Sequence, residues 1–166
     1  MVKTHPFLES HTLLSEEQKD TLIERLQEWY KQELSFLKNK YFYVTAKDKV
    51  FLSTVSPEEF PQARVNNVGI YFGTFHDSKR FRLSIEGALL IKPKQNLILV
   101  EEKAAKSFLS GENLFEEEGQ RFEVTSTCPF QVVVWNNTPI GLVSIKGKEL
   151  LSYLSKGRKL DFNKVF

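Results

Sequence analysis

The chain has 166 residues, enough for one ordinary domain or for two small ones of about 80–90 residues. Apolar residues make up 41% and charged residues 27%, a globular composition, and 23 basic against 21 acidic residues exclude a histone-like polycation, so that any nucleic-acid surface has to be a local patch. No apolar run approaches the ~18 residues of a membrane helix, the N-terminal stretch reads as no signal peptide, and the lone Cys128 excludes an internal disulfide, so a reducing cytoplasm is the expected compartment.

The first predicted element is a long helix. Ser15 followed by Gln18 makes a capping-box pattern. Leu22, Ile23, Leu26, Trp29, Tyr30, Leu34 and Leu37 then recur at helical spacing, which predicts a helix over 16–37 with an apolar face to be covered by a sheet. YFYV (41–44) and VFLST (50–54) read as strands joined by the turn TAKDK. Ser56-Pro57-Glu58-Glu59 is a second helix start, and Pro61 keeps that helix short. VGIYFGTF (68–75) reads as a buried strand, and RFRLSI (80–85) as a strand with one wet face. Lys92-Pro93-Lys94 changes the character of the chain and divides it into 1–92 and 93–166. Beyond it come a strand at 96–100, a helix over 101–111 capped by Gly111, and a hairpin of 130–135 and 139–145 around Asn136-Asn137-Thr138. Leu150, Leu151 and Leu154 predict a last helix over 147–157.

Catalytic patterns are missing from this sequence. It has no phosphate-binding Gly-x4-Gly-Lys loop, no dinucleotide fingerprint, and no serine in a Gly-x-Ser-x-Gly elbow. His5, His11 and His76 lack metal-ligand spacing, and one cysteine makes no structural zinc site. His76-Asp77-Ser78 reads as a polar loop, and the consecutive Glu116, Glu117 and Glu118 as a solvated one. The reading is therefore of a non-enzyme that needs neither cofactor nor metal.

Positive charge collects in two places. Residues 77–94 hold five basic side chains, among them Lys79, Arg80 and Arg82, against two acids. Residues 146–164 hold six against two: Lys146, Lys148, Lys156, Arg158, Lys159 and Lys164 oppose Glu149 and Asp161. Aromatics interleave with both patches, Phe75 and Phe81 in the first, Tyr153 and Phe162 in the second. Cations neutralise phosphates and ring faces stack unpaired bases. The plain alternative is a solvated basic face over core aromatics, with the cations at the end of the last helix favoured by its dipole. Residues 1–64 hold nine basic residues against ten acids, which fits protein contacts better than RNA. Trp29 and Tyr30 read either as part of such a contact or as core.

The order NLILVEEKAAKSFLSGENLFEEEGQRF, QVVVW, PIGLVSI and a basic-ended helix resembles a PUA domain. Ala104, Ala105, Leu109, Gly111 and Gly141 carry that likeness, whereas Glu118-Gly119 and Val143 depart from the Pro-Gly and second glycine common in such domains. Upstream, Phe72-Gly73-Thr74-Phe75 and Arg80-Phe81-Arg82-Leu83, with Ser107 to Glu112 later, make the chain resemble the Nip-seven-type ribosome-biogenesis proteins, an archaeal-like member by length. The resemblance is good over about 65–160 and rests on element order alone over 1–64.

This resemblance implies an α+β protein. Its N-terminal α/β domain, with an antiparallel sheet and a long helix, would precede a C-terminal PUA-like β pseudo-barrel with short helices. It implies a non-catalytic adaptor in large-subunit ribosomal RNA processing, monomeric and away from membranes, cytoplasmic or, in a eukaryote, nucleolar. The PUA-like domain would bind single-stranded, loop or precursor ribosomal RNA, and the N-terminal domain ribosome assembly factors or the exosome. The RNA-binding residues expected are Lys146, Lys148, Tyr153, Lys156, Arg158 and Lys159, with Lys79, Arg80 and Arg82 as a secondary surface. Two alternatives stay open: an accessory or subunit of an RNA-modifying enzyme, and an adaptor that binds only proteins.

Overall fold

The computed structural model of the chain describes residues 11–59 and 69–162. It divides into two compact units, 1–87 and 88–166. Among the described residues no helix is long and apolar enough to cross a membrane, and no group of three or more His, Cys, Asp or Glu is placed to hold a metal ion.

The first unit is an antiparallel sheet in chain order: β1 (His11–Leu13), β2 (Tyr41–Thr45), β3 (Lys49–Ser53), β4 (Ile70–Phe75) and β5 (Phe81–Leu83). Helix α1 (Glu16–Tyr30) follows β1. Its start is the expected capping box: Ser15 Oγ accepts from the Gln18 backbone N–H at 3.1 Å, and Gln18 Oε1 accepts from Ser15 N–H at 3.0 Å. Leu22, Ile23, Leu26, Trp29 and Tyr30 are all buried. On the sheet, Phe72 packs edge-on against Phe42 with centroids 5.7 Å apart, and Phe81 stands 4.9 Å from Phe75.

The helix is shorter than its periodicity predicts. It stops at Tyr30, where Lys31 turns into the left-handed region (φ 49°), so the expected span 16–37 is corrected to 16–30. Leu34 and Leu37 are fully buried, but they return to the core from a loop and a 3-10 turn, Ser35–Leu37. Gln27 Oε1 accepts the Leu34 N–H at 2.8 Å, and the buried Lys19 donates from Nζ to the carbonyls of Lys38 (2.7 Å) and Lys40 (3.2 Å). Burial, not helical continuity, produces the spacing of these leucines.

The helix start at Ser56 yields only a 3-10 turn, Pro57–Glu59; Pro61 and Val68 lie outside the described residues. The strand expected over 80–85 ends at Leu83. Ser84 Oγ accepts the Gly87 N–H at 2.9 Å, and helix α2 (Ile85–Ile91) begins there, running across the division between the units.

The second unit is a six-stranded sheet in the order β7-β11-β10-β9-β6-β8. Its elements are β6 (Leu97–Val100), α3 (Glu102–Leu109), β7 (Leu114–Phe115), a 3-10 turn Glu116–Glu118, β8 (Gly119–Phe122), β9 (Gln131–Trp135), β10 (Thr138–Lys146) and β11 (Glu149–Ser152). All pairs are antiparallel except β6 with β9, and the sheet curls into a half-barrel. The core is Ile98, Val100, Ala104, Ala105, Phe108, Leu114, Val133, Val143 and Leu150. Gly141 lets α3 approach β10: a Cβ there would lie 2.5 Å from Phe108. The α+β fold class is as expected.

One prediction in this unit is corrected. There is no helix over 147–157. Gly147 has φ +63° and turns β10 straight back into β11, with Lys146 opposite Glu149. Leu150 then points into the core while Leu151 is half-buried, the alternation of a strand. Only Lys156–Arg158 is helical, as one 3-10 turn.

Candidate nucleic-acid interface

The hairpin separates the expected RNA-binding residues into two groups. Lys146 and Lys148 are exposed at the β10–β11 turn. The carbonyl of Lys148 accepts the Glu116 N–H at 2.8 Å, which brings the run Glu116–Glu118 to this turn and sets acids against its cations.

Tyr153, Lys156, Arg158 and Lys159 follow the other end of β11. Tyr153 is half-buried: its N–H donates to the Leu142 carbonyl at 3.1 Å, its hydroxyl lies 3.2 Å from Ser144 Oγ, and its ring meets Phe130 edge-on at 5.3 Å. That ring is part of the packing, and loss of the whole side chain would cost stability as well as any stacking. Lys156, Arg158 and Lys159 are exposed.

The chain next returns to α3. The Leu160 N–H donates to the Leu109 carbonyl at 2.8 Å, and the aliphatic stem of Lys159 lies over Gly111, where a Cβ would stand 2.6 Å from Lys159 Cδ. Gly111 follows the end of α3 with φ +101°, so it serves as helix terminator and as a seat for the lysine. Between the helix and this returning segment lies a groove of about 630 Å³, lined by Lys106, Ser107, Ser110, Glu112, Lys159 and Phe162 among others. Lys106 Nζ stands 5.9 Å from the Phe162 ring centroid and 3.3 Å from the Glu102 carboxylate. The Ser107 hydroxyl hydrogen-bonds the Glu112 carboxylate. Two ammonium groups, two hydroxyls, one ring and the carboxylates of Glu112 and Asp161 thus line a single groove, with Lys156 and Arg158 next to it along the chain. Lys156 and Lys159 make no ion pair among the described residues, so these two cations have no carboxylate to leave before meeting a phosphate.

Lys106 belongs to this arrangement and was missed by sequence reasoning, which notes Phe162 as an aromatic of the second basic patch. Lys106 reads as the i+4 partner of Glu102 on a wet helix face. Only the return of the chain along α3 places it opposite Lys159.

The secondary cluster is organised differently. In the loop between β4 and β5, Asp77 Oδ1 accepts the N–H groups of Lys79 (2.9 Å) and Arg80 (2.8 Å), and Asp77 Oδ2 accepts from Arg80 Nε at 2.8 Å. The Lys79 N–H, then the Arg80 side chain, hold the Asp77 carboxyl at about 2. Arg82 Nη1 lies 3.1 Å from His76 Nε2. Partial burial first, and Arg82 and Arg80 after it, hold His76 below its ordinary value. Arg80 is thus bound within its own loop. Trp29 and Tyr30 are 5% and 0% exposed, so they are core and form no contact surface.

Residues 12–85 match the family model for the NIP7/UPF0113 pre-PUA domain. No curated protein sequence matches the chain. Among solved structures, a conserved PUA domain protein from Thermoplasma acidophilum is similar over 90% of this chain and 97% of its own, with 14% identity and a TM-score of 0.61. A hypothetical protein from Pyrococcus horikoshii is similar over 88% and 96%, at 12% identity and a TM-score of 0.59. A PUA domain from Aeropyrum pernix, solved with tartrate, is similar over 86% and 83%, at 14% and 0.53. These three likenesses establish the fold. The resemblance drawn from the sequence is borne out, and the family match falls mostly over the part where only element order supported it.

Proposed function

We propose that this protein is a non-catalytic RNA-binding adaptor of ribosome biogenesis, acting in the cytoplasm in large-subunit ribosomal RNA processing. The single observation that carries the reading is the pairing, in one chain, of a NIP7/UPF0113 pre-PUA match with a PUA-like fold. Residues 1–92 form the domain that docks assembly factors or the exosome, and residues 93–166 the domain that holds RNA. Single-stranded or loop RNA is the ligand, because only unstacked bases can reach a ring on a protein surface. Lys156, Arg158 and Lys159 contact its phosphates, joined by Lys106. The exposed, unpaired state of Lys156 and Lys159 supports this group over Lys146 and Lys148, which stand beside three glutamates, and over Arg80, which Asp77 already binds.

The test is fluorescence anisotropy of a labelled uridine-rich 12-mer with the full chain at two salt concentrations. Binding that weakens with salt is expected. Failure to bind at low salt, or binding indifferent to salt, rejects the reading. A dispersed amide spectrum from the fragment 93–166 alone would support the proposed division, and a random-coil spectrum would reject it.

A further inference from the structure

The first unit contains a second groove, of about 580 Å³, between the N-terminal half of α1 and the strand ends of its sheet. Its apolar surface comes from Leu14, Val44 and Phe75, each half-buried, so that carbon faces solvent in a concave place. Its rim is acidic. Glu17, Asp48 and Asp77 face a single cation, Arg25. That guanidinium is already engaged, since Nη1 donates to the Ser78 carbonyl at 3.0 Å and the group stands 5.8 Å from the centre of the Trp29 ring. Asp77 is engaged as well, by Arg80. Glu17 and Asp48 are exposed and form no ion pair among the described residues. A concave apolar surface under two unneutralised carboxylates repels a phosphate backbone and complements a basic group beside an apolar one.

We propose that this groove binds a short peptide segment of a partner protein, an apolar side chain seated on Leu14, Val44 and Phe75 with a flanking Lys or Arg against Glu17 and Asp48. The inference rests on the reading of the N-terminal domain as the protein-docking half, and it gives that docking a place and a chemistry. RNA is excluded from the groove by the sign of its rim.

The probe is a phage-displayed random dodecapeptide library selected on the full-length protein, with affinities of the enriched peptides measured by anisotropy. Enriched peptides that place an apolar residue next to Lys or Arg are expected. The double variant E17Q/D48N should weaken them about fivefold, as two exposed charge contacts do. Both substitutions keep the side-chain shape, and Asn tolerates the φ of +61° at Asp48, so the variant should fold. Thr21→Arg, on the exposed face of α1 at the groove, is a second probe and should block the peptides by bulk and charge. The uridine-rich RNA should bind both variants as it binds the wild type.

Peptides of acidic or purely polar sequence overturn the proposal, as does equal affinity for wild type and both variants; in that case the docking reading survives with its surface elsewhere. Failure to enrich any peptide rejects groove and docking reading together. A loss of RNA affinity in Thr21→Arg, despite its added positive charge, would make the groove an RNA site. A concentration-dependent dimer abolished by Thr21→Arg would make its occupant a second copy.

Discussion

Removing the three cations after β11 is the sharpest test of the RNA surface. Lys156, Arg158 and Lys159 are exposed, and Lys156 and Lys159 form no ion pair among the described residues. Their joint replacement by Ala should therefore leave stability within about 0.5 kcal/mol, and a coincident melting curve is the control. Each cation that neutralises a phosphate of a single strand adds about 0.7 to the slope of log affinity against log salt. Three add about 2, and Lys156 with Lys159 alone about 1.4. Between 50 and 200 mM salt the wild type should then lose about sevenfold to twentyfold more affinity than the variant. Anisotropy on the uridine-rich 12-mer reads this directly. Tyr153→Phe, which removes only the hydroxyl near Ser144, should leave the slope where it was, because stacking releases no counterions. An unchanged slope and affinity in the triple variant would refute the site and transfer the expectation to Lys79, Arg80 and Arg82.

Three further outcomes follow from the packing. Lys19→Met should destabilise the protein by about 1.5–3 kcal/mol in urea titration, since the carbonyls of Lys38 and Lys40 lose a charged donor inside the fold. Gly141→Ala should cost about 1–3 kcal/mol, because the new methyl meets the fully buried Phe108 ring and α3 has to shift. His76 is held below about 6.5 in the folded state, so the unfolded chain binds the proton more readily. Stability is complete above that pH and falls as the pH drops below it, more steeply in the wild type than in His76→Asn; parallel melting-temperature profiles from pH 7.5 to 5 would show this reasoning to be wrong.

Local signals were legible where one interaction decides the outcome. The Ser15–Gln18 capping box, the hairpin at Asn136-Asn137, both with positive φ, and the stop of α3 before Gly111 each depend on residues within five positions of one another. The failures share a different cause. Leu34 and Leu37 repeat at helical spacing because both face the core, and Lys31 ends the helix regardless. Ser84 begins α2 through its contact with Gly87, inside a stretch whose preceding alternation looks like strand. At Gly147 two readings compete, since Leu150, Leu151 and Leu154 suit a helical stripe while Leu150 also suits a strand. The choice is made outside the segment, by β10 on one side and by Leu114 and Phe115 of β7 on the other.

That choice changes the candidate site and not only its label. On a helix over 147–157, Lys148, Ser152 and Lys156 would share one face, about 6 Å apart per turn, and Lys148 would join the cations at the far end. As a hairpin, the same residues place Lys148 beside Glu116, and the four residues of β11 separate it from Tyr153 by more than 13 Å at ~3.3 Å per residue. The chain leaving β11 turns once, ties Leu160 to Leu109, and lays Lys159 across Gly111 opposite Lys106. The positive surface is consequently built from two segments about fifty residues apart, α3 and the stretch 156–162, and its strength depends on the contact at Gly111. Gly111→Ala should strain φ +101° by about 1–2 kcal/mol and push the flexible end of Lys159 aside. If the groove holds RNA, that variant should lose affinity beyond its loss of stability; if it binds RNA as the wild type does while melting lower, Lys159 acts independently of the groove and the phosphate contacts lie on the 3-10 turn alone.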